Sequence, residues 1–220
     1  NTEANTDKTV PVVLVHGILS NIDELSEAKL WFSENLNGEV YLFEIGNGVL
    51  DSAMKNMTWQ LDAFTRSLES FIPLKNQKFH LIGFSQGGLL SRAYVETNEG
   101  QRVKTLMTFG TPHMGVYYYS DDGIYSKDAQ NRWSYTNYWK DPYNMPLYLE
   151  NSSFLPAING EIESPYTLYK KIDYFVMVWS PFDDIIRPIE SGKYEFFSEN
   201  TDVIVPLTMS EAFKHNNIGI

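Results

Sequence analysis

The stretch KFHLIGFSQGGLLSRAY, Lys78 to Tyr94, restricts this chain more than any other. An apolar, strand-forming run leads into Ser85, and a helical pattern carrying Leu89, Leu90, Ala93 and Tyr94 leaves it. Gly83-Phe84-Ser85-Gln86-Gly87 fits G-x-S-x-G, which between a strand and a helix marks a sharp turn with the serine hydroxyl exposed at its pivot. Flanking glycines remove the Cβ atoms that would collide in such a turn. The helix starting behind the serine adds free N–H groups and a partial positive charge, which suit an oxyanion. The competing interpretation is a tight turn in some other doubly wound fold.

The rest of the chain provides the sheet that such a turn requires. Val10–His16, Gly38–Gly46, Lys78–Phe84, Val103–Gly110 and Asp173–Ser180 read as five strands. Helical patterns lie between them at Ile22–Leu36 and Gln86–Glu96. A further long helix runs from Asp51, its N-cap, through Met54, Trp59, Leu61, Phe64, Leu68 and Phe71 to a stop at Pro73. This alternation predicts an α/β chain: a mostly parallel sheet flanked by helices on both faces, the α/β-hydrolase fold. At 220 residues, 43% hydrophobic and 20% charged, the chain suffices for one such domain over residues 1–220, apart from a loose polar start, NTEANTDK. Gly115 to Lys171 breaks the rhythm and is dense in tyrosine and tryptophan from Tyr117 to Tyr148. An insert of that length reads as a cap or lid over the site, the alternative being a structural excursion packed on the sheet.

Charge and residue usage remove several classes of function. A formal net charge of −11 repels nucleic acid phosphates and anionic lipid surfaces, so neither is expected as a partner. No cysteine is present, which removes disulfides, thiolate metal sites and cysteine nucleophiles together. No apolar stretch reaches membrane-spanning length, and no signal peptide precedes the first strand, as in a mature secreted chain. Asn56-Met57-Thr58 and Asn151-Ser152-Ser153 are sequons that accept glycans in a secretory pathway.

Serine chemistry needs an oxyanion hole, an acid and a base. In a hydrolase of this kind one oxyanion N–H comes from the residue after the nucleophile, Gln86, and the other from the loop after an early strand, Ile18 in His16-Gly17-Ile18. His16 and His113 read as structural, because the catalytic histidine comes last in this chain order, and His80 lies inside a strand. FVMVWSPFDD ends in Asp183 and Asp184, directly past the fifth strand, where a triad acid belongs. A cation site there lacks an accompanying cluster of ligands, and the chemistry requires no metal or organic cofactor.

VVLVHGI, HLIGFSQGGLLSRAY, YLENSSFLPAING and FVMVWSPFDDIIRPIESGKYEFF together resemble the palmitoyl-protein thioesterase family, lysosomal α/β-hydrolases that remove long acyl chains from cysteine thioesters. The resemblance implies Ser85 as nucleophile and Ile18 and Gln86 as oxyanion donors. It favours Asp183 over Asp184, because the family's acid precedes an apolar pair and a proline, as in DDIIRP. It implies S-acylated proteins or peptides and acyl-CoA-like thioesters as substrates, and a lysosomal or secreted location. GTPHMGV departs from the pattern and is closer to lipases, so an oxygen-ester lipase or carboxylesterase is the same-class alternative. A silent lipid-binding relative is the other. The triad histidine is expected after one further strand; the candidate past Asp183 is His215, in a stretch resembling the loop before that strand. The resemblance therefore implies a C-terminal strand and helix beyond this sequence, carrying the base on the same chain or on a separate C-terminal fragment.

Overall fold

The computed structural model describes residues 10–119, 123–163 and 172–214. The polar start, the end of the aromatic insert up to Lys171 and His215 lie outside the described residues.

Strands β1 (Val12–Val15), β2 (Val40–Phe43), β3 (Phe79–Phe84), β4 (Val103–Phe109) and β5 (Tyr174–Val178) form one wholly parallel sheet in the order β2-β1-β3-β4-β5. All five fall within the runs read from the sequence. Because β1 is followed by β2 on one side and flanked by β3 on the other, the winding reverses between β1 and β3. Ligands of open parallel sheets bind beyond the carboxyl ends of the strands at such a reversal. There the chain continues as His16-Gly17-Ile18 after β1 and as Ser85 after β3.

Helices α1 (Ser26–Asn35), α2 (Val49–Met54), α3 (Met57–Ser70) and α4 (Gln86–Thr97) flank the sheet. Val13, Val15, Leu81 and Leu106 pack with Phe64 and Leu68 of α3 and Leu90 and Ala93 of α4. Val12, Leu14 and Ile82 point the other way, onto Leu25 and Phe32 at α1. Toward β5 this second face opens: Tyr174, Val176 and Val178 are 65%, 36% and 38% exposed, and among the described residues β5 is an edge strand.

The long helix expected from Asp51 is two helices. Asn56 breaks it by capping α3, its side chain accepting from Trp59 N at 2.8 Å. Gln60 reaches back to the Ser52 and Lys55 carbonyls at 3.0 and 2.7 Å, satisfying the end of α2. Asp51 is therefore not the N-cap; it lies inside α2 and accepts from Asn47 N at 2.9 Å. Apolar spacing continues across the break, so periodicity alone runs the two helices together.

The insert folds into short helices, α5 (Lys127–Arg132), α6 (Met145–Asn151) and α7 (Leu155–Ile158), with a 3₁₀ turn at Ser134–Tyr138. A bridge joins it to the chain after β4, with Val116 N donating to Tyr138 O (3.0 Å) and Lys140 N to Val116 O (2.9 Å). Tyr125, Tyr138, Trp139, Tyr148 and Leu155 share one apolar cluster with α3 and α4. That part of the insert is built into the main core, while Tyr118, Tyr119, Tyr135 and Tyr143 stay exposed. Past β5, strands β6 (Phe196–Phe197) and β7 (Ile204–Val205) pair as a separate antiparallel ribbon.

Candidate active site

Ser85 joins β3 to α4 with φ +50° and ψ −123°, a conformation costing a non-glycine residue on the order of 1–3 kcal/mol. Neighbours hold it there. Ser85 N donates to Phe109 O at 2.8 Å, Gly88 N donates to Ser85 O at 2.9 Å, and the Thr111 hydroxyl donates to the same carbonyl at 3.0 Å. A Cβ on Gly88 would lie 1.9 Å from Thr111 Oγ1, so α4 and the loop after β4 meet only because this position is glycine.

The loop after β1 closes over the serine. A Cβ on Gly17 would sit 3.1 Å from Ser85 Cβ and 3.7 Å from Ser85 Oγ. Leu19 follows at φ +54°, turning the chain away after Ile18. His16, 1% exposed, anchors this loop: Ile45 N–H donates to Nε2 at 3.0 Å, which leaves the proton on Nδ1, 2.9 Å from Gly17 O. Its ring is thus engaged with the end of β2 rather than with Ser85. Gln86 is the first residue of α4, so its backbone N–H has no acceptor within the helix.

Asp183 and Asp184 are separated by their own turn. Asp183 Oδ1 accepts from Ile185 N and Ile186 N, both at 2.9 Å, and a Cβ on Gly110 would lie 3.4 Å from Asp183 Oδ2. The Asp183 carboxylate thus faces the end of β4, which Phe109 O ties to Ser85 N, while Asp184 is exposed. Among the described residues no group of three or more His, Cys, Asp or Glu side chains is arranged to hold a metal.

No described histidine meets Ser85. His80 lies near the opposite end of β3. His113 is fully buried: Arg92 Nη1 lies 3.4 Å from Nδ1, and Nε2 lies 2.8 Å from Thr108 Oγ1. Arginine offers only donors, so Nδ1 accepts and the ring is neutral. Burial first, and then the Arg92 charge, hold its pKa well below the ordinary histidine value.

Sequence reasoning missed Arg92, and it organises the surroundings of the site. It is 0% exposed on α4, and its guanidinium donates to His113 O (3.1 Å), Tyr194 Oη (2.7 Å) and Asn159 Oδ1 (2.6 Å). His113 stacks on Tyr194 with ring centres 4.7 Å apart. Through Arg92 the elbow helix, the GTPHMG loop, the insert and the segment after β5 share one buried cation. The signal available was a charged residue inside the apolar run LLSRAYV.

A cleft of about 200 Å³ opens at Ser85, lined by Ile18, Val116, Tyr118, Tyr138, Trp139, Ile185 and Ile186 among others. The Tyr118 hydroxyl donates to Ile185 O, tying the insert to the acid loop. A larger cavity of about 620 Å³ lies elsewhere, among Met114, Met145, Tyr194, Phe196 and Met209. It contains neither Ser85 nor Asp183, so the chemistry, not the volume, selects the smaller cleft. Of the sequon residues, Asn56 caps α3 and also reaches Asn131 O at 3.3 Å, and Asn151 ends α6 with its amide 3.1 Å from Leu147 O.

Residues 11–220 match the family described as palmitoyl protein thioesterase. Palmitoyl-protein thioesterase 3 of Dictyostelium discoideum is 33% identical over 232 residues, covering 96% of this chain and 79% of that protein. The lysosomal thioesterase PPT2 homolog of Drosophila melanogaster is 33% identical, covering 96% and 78%, and human lysosomal thioesterase PPT2 is 27% identical, covering 88% and 70%. Among solved structures, phospholipase PlaB from Legionella pneumophila superposes with a TM-score of 0.52 at 16% identity, over 77% of this chain and 37% of that one. That likeness concerns the fold alone.

Proposed function

This chain belongs to the palmitoyl protein thioesterase family, and we propose that it is a serine hydrolase that cleaves long-chain acyl thioesters, releasing palmitate from S-acylated cysteines. The observation that carries this reading is the strained pivot at Ser85, held from the Phe109 carbonyl and the Thr111 hydroxyl, with the Gly17 loop against its side chain. Backbone of that cost is kept only where the surroundings over-determine it, and such positions cluster at active sites.

Ser85 Oγ attacks the thioester carbonyl while a histidine takes its proton. The N–H groups of Ile18 and Gln86 receive the oxyanion, the C–S bond breaks, and the histidine returns its proton to the cysteine sulfur, which leaves as the thiol and frees the histidine as a base again. Water, activated by the same histidine, attacks the acyl-serine and frees the acid. Asp183 orients the histidine and favours its charged form. The cleft of about 200 Å³ is smaller than sites that engulf a whole ligand, so it takes the carbonyl end and the first methylenes. The remaining chain runs along the exposed insert tyrosines, each buried methylene contributing about 0.8 kcal/mol before ordering costs.

The base is His215 or a histidine on a further segment, in this chain or a separate fragment, that adds to the open edge of β5. Support for the second source is that β5 ends the strand order among the described residues and that its Tyr174, Val176 and Val178 are exposed, since the faces of parallel sheets are normally covered. Asp183 lies five residues past that strand's last residue, Val178, close to where an added strand would end. The compartment is lysosomal or secretory, in keeping with the lysosomal names of the fly and human relatives and with the two sequons.

The test is labelling by a fluorophosphonate combined with the intact denatured mass. Labelling at Ser85, lost in Ser85→Ala, supports the mechanism; a preparation that never labels is a silent binding protein. Preference for an oxygen ester over palmitoyl-CoA would replace the thioesterase reading by a lipase. A second polypeptide in the active preparation would identify the source of the base, whereas full activity from the 220-residue chain alone would assign it to His215.

A further inference from the structure

We infer that Tyr138 and Gln60 are positioning residues for the oxyanion hole, clamping the Gln86 side chain and through it setting the direction of the Gln86 backbone N–H. This rests on Ser85 as nucleophile and Gln86 as oxyanion donor. Gln86 sits at the first position of a helix, where side chains ordinarily reach solvent, yet it is 1% exposed. Its Nε2 donates to Ser52 O at 2.7 Å and to Gln60 Oε1 at 3.0 Å, and its Oε1 accepts the Tyr138 hydroxyl at 3.0 Å. Both amide hydrogens and the carbonyl are thus occupied.

The partners are themselves fixed. Gln60, 0% exposed, donates to Ser52 O at 3.0 Å and Lys55 O at 2.7 Å, across the junction of α2 and α3. Burial raises the pKa of the Tyr138 hydroxyl, so it remains a donor throughout the working pH range. An apolar side chain of similar length would fill this space without three partners, so the amide does more than pack. The peptide between Ser85 and Gln86 follows directly on the strained Ser85, and a pinned Gln86 side chain limits its rocking. The Tyr138 ring also lines the Ser85 cleft. An acyl chain against that ring therefore touches the group that holds the oxyanion donor, which couples occupancy of the insert to geometry at the reacting carbonyl.

Tyr138→Phe keeps the ring and removes only the hydroxyl. With palmitoyl-CoA, kcat should fall about tenfold while KM stays within twofold, the loss of one alignment with the binding surface intact. Fluorophosphonate labelling at Ser85 should slow in parallel, because phosphonylation uses the same N–H pair. Gln86→Met retains the backbone N–H but removes all three side-chain bonds; its kcat should fall at least as far as that of Tyr138→Phe, and the double variant should be no slower than Gln86→Met alone, since the Tyr138 bond is already cut there. If Tyr138→Phe does not fold, Gln60→Asn, which shortens the opposite anchor, should show the same split between kcat and KM. Unchanged kcat and labelling in the folded variants, or losses that multiply in the double variant, would overturn the inference. Unaltered protein that never labels fails earlier and removes the serine-hydrolase reading along with it.

Discussion

Replacing Arg92 by methionine keeps the length of the stem and deletes the guanidinium. The parent side chain is 0% exposed, donates three hydrogen bonds to His113 O, Tyr194 Oη and Asn159 Oδ1, and lies 3.3 Å from Glu96 Oε1. Hydrogen bonds to a charged group contribute about 1.5–3 kcal/mol each, but bonds sharing one guanidinium are not additive, and methionine restores part of the packing. Removing one partner of a buried pair costs about 3–5 kcal/mol, mostly the desolvation of the groups left behind. For a domain of this size each kcal/mol moves Tm by about 2–4 °C, so Arg92→Met should lower it by about 10 °C. Differential scanning calorimetry measures this directly. Adding Glu96→Leu should recover part of the loss, because the second buried charge is then removed as well. A single variant within about 3 °C of the parent would refute the role of Arg92 as the tie between elbow helix, insert and the segment after β5.

Asp183→Asn should reduce kcat by about four orders of magnitude, by losing the charge that orients the base, while Asp184→Asn changes it less than threefold; steady-state rates on palmitoyl-CoA distinguish them. The depressed pKa of His113 makes the protein lose stability in acid. Unfolded chains take up a proton near pH 6.5 and the native ring does not, so its contribution is complete above that pH and declines below it by up to about 1.4 kcal/mol per unit. In urea titrations from pH 7 to 5, His113→Phe should have a shallower slope than the parent, whatever its absolute stability; equal slopes would contradict this. Asn56→Asp keeps an acceptor at the α3 N-cap while removing the sequon. Protein from a secretory host should therefore lose mass without losing Tm, whereas Asn56→Ala costs about 1 kcal/mol.

Much of this molecule is legible in its residues because the signals are local. Val12–Val15, Phe79–Phe84 and Tyr174–Val178 are apolar runs bounded by turn residues, and all appear as strands. The elbow announces itself because a hydroxyl held at positive φ between strand and helix needs small residues around it. The break at Lys55–Asn56 was hidden by apolar spacing that continues through it, although Asn56 is a good cap. Arg92 resisted interpretation for a different reason: a buried guanidinium is stable only with partners drawn from His113, Asn159 and Tyr194, up to 102 residues away in sequence.

The sequence by itself determined the strand-helix alternation, the pivot at Ser85 and the presence of an acid pair after the last parallel strand, because each depends on neighbours within a few positions. The tertiary structure decided that the Asp183 carboxylate lies against Gly110 at the end of β4. It also decided that the insert shares the main core, and that Gln86 is clamped from Gln60 and Tyr138. Those are contacts between distant segments, and their energy comes from burying polar groups only where partners from elsewhere in the fold satisfy them.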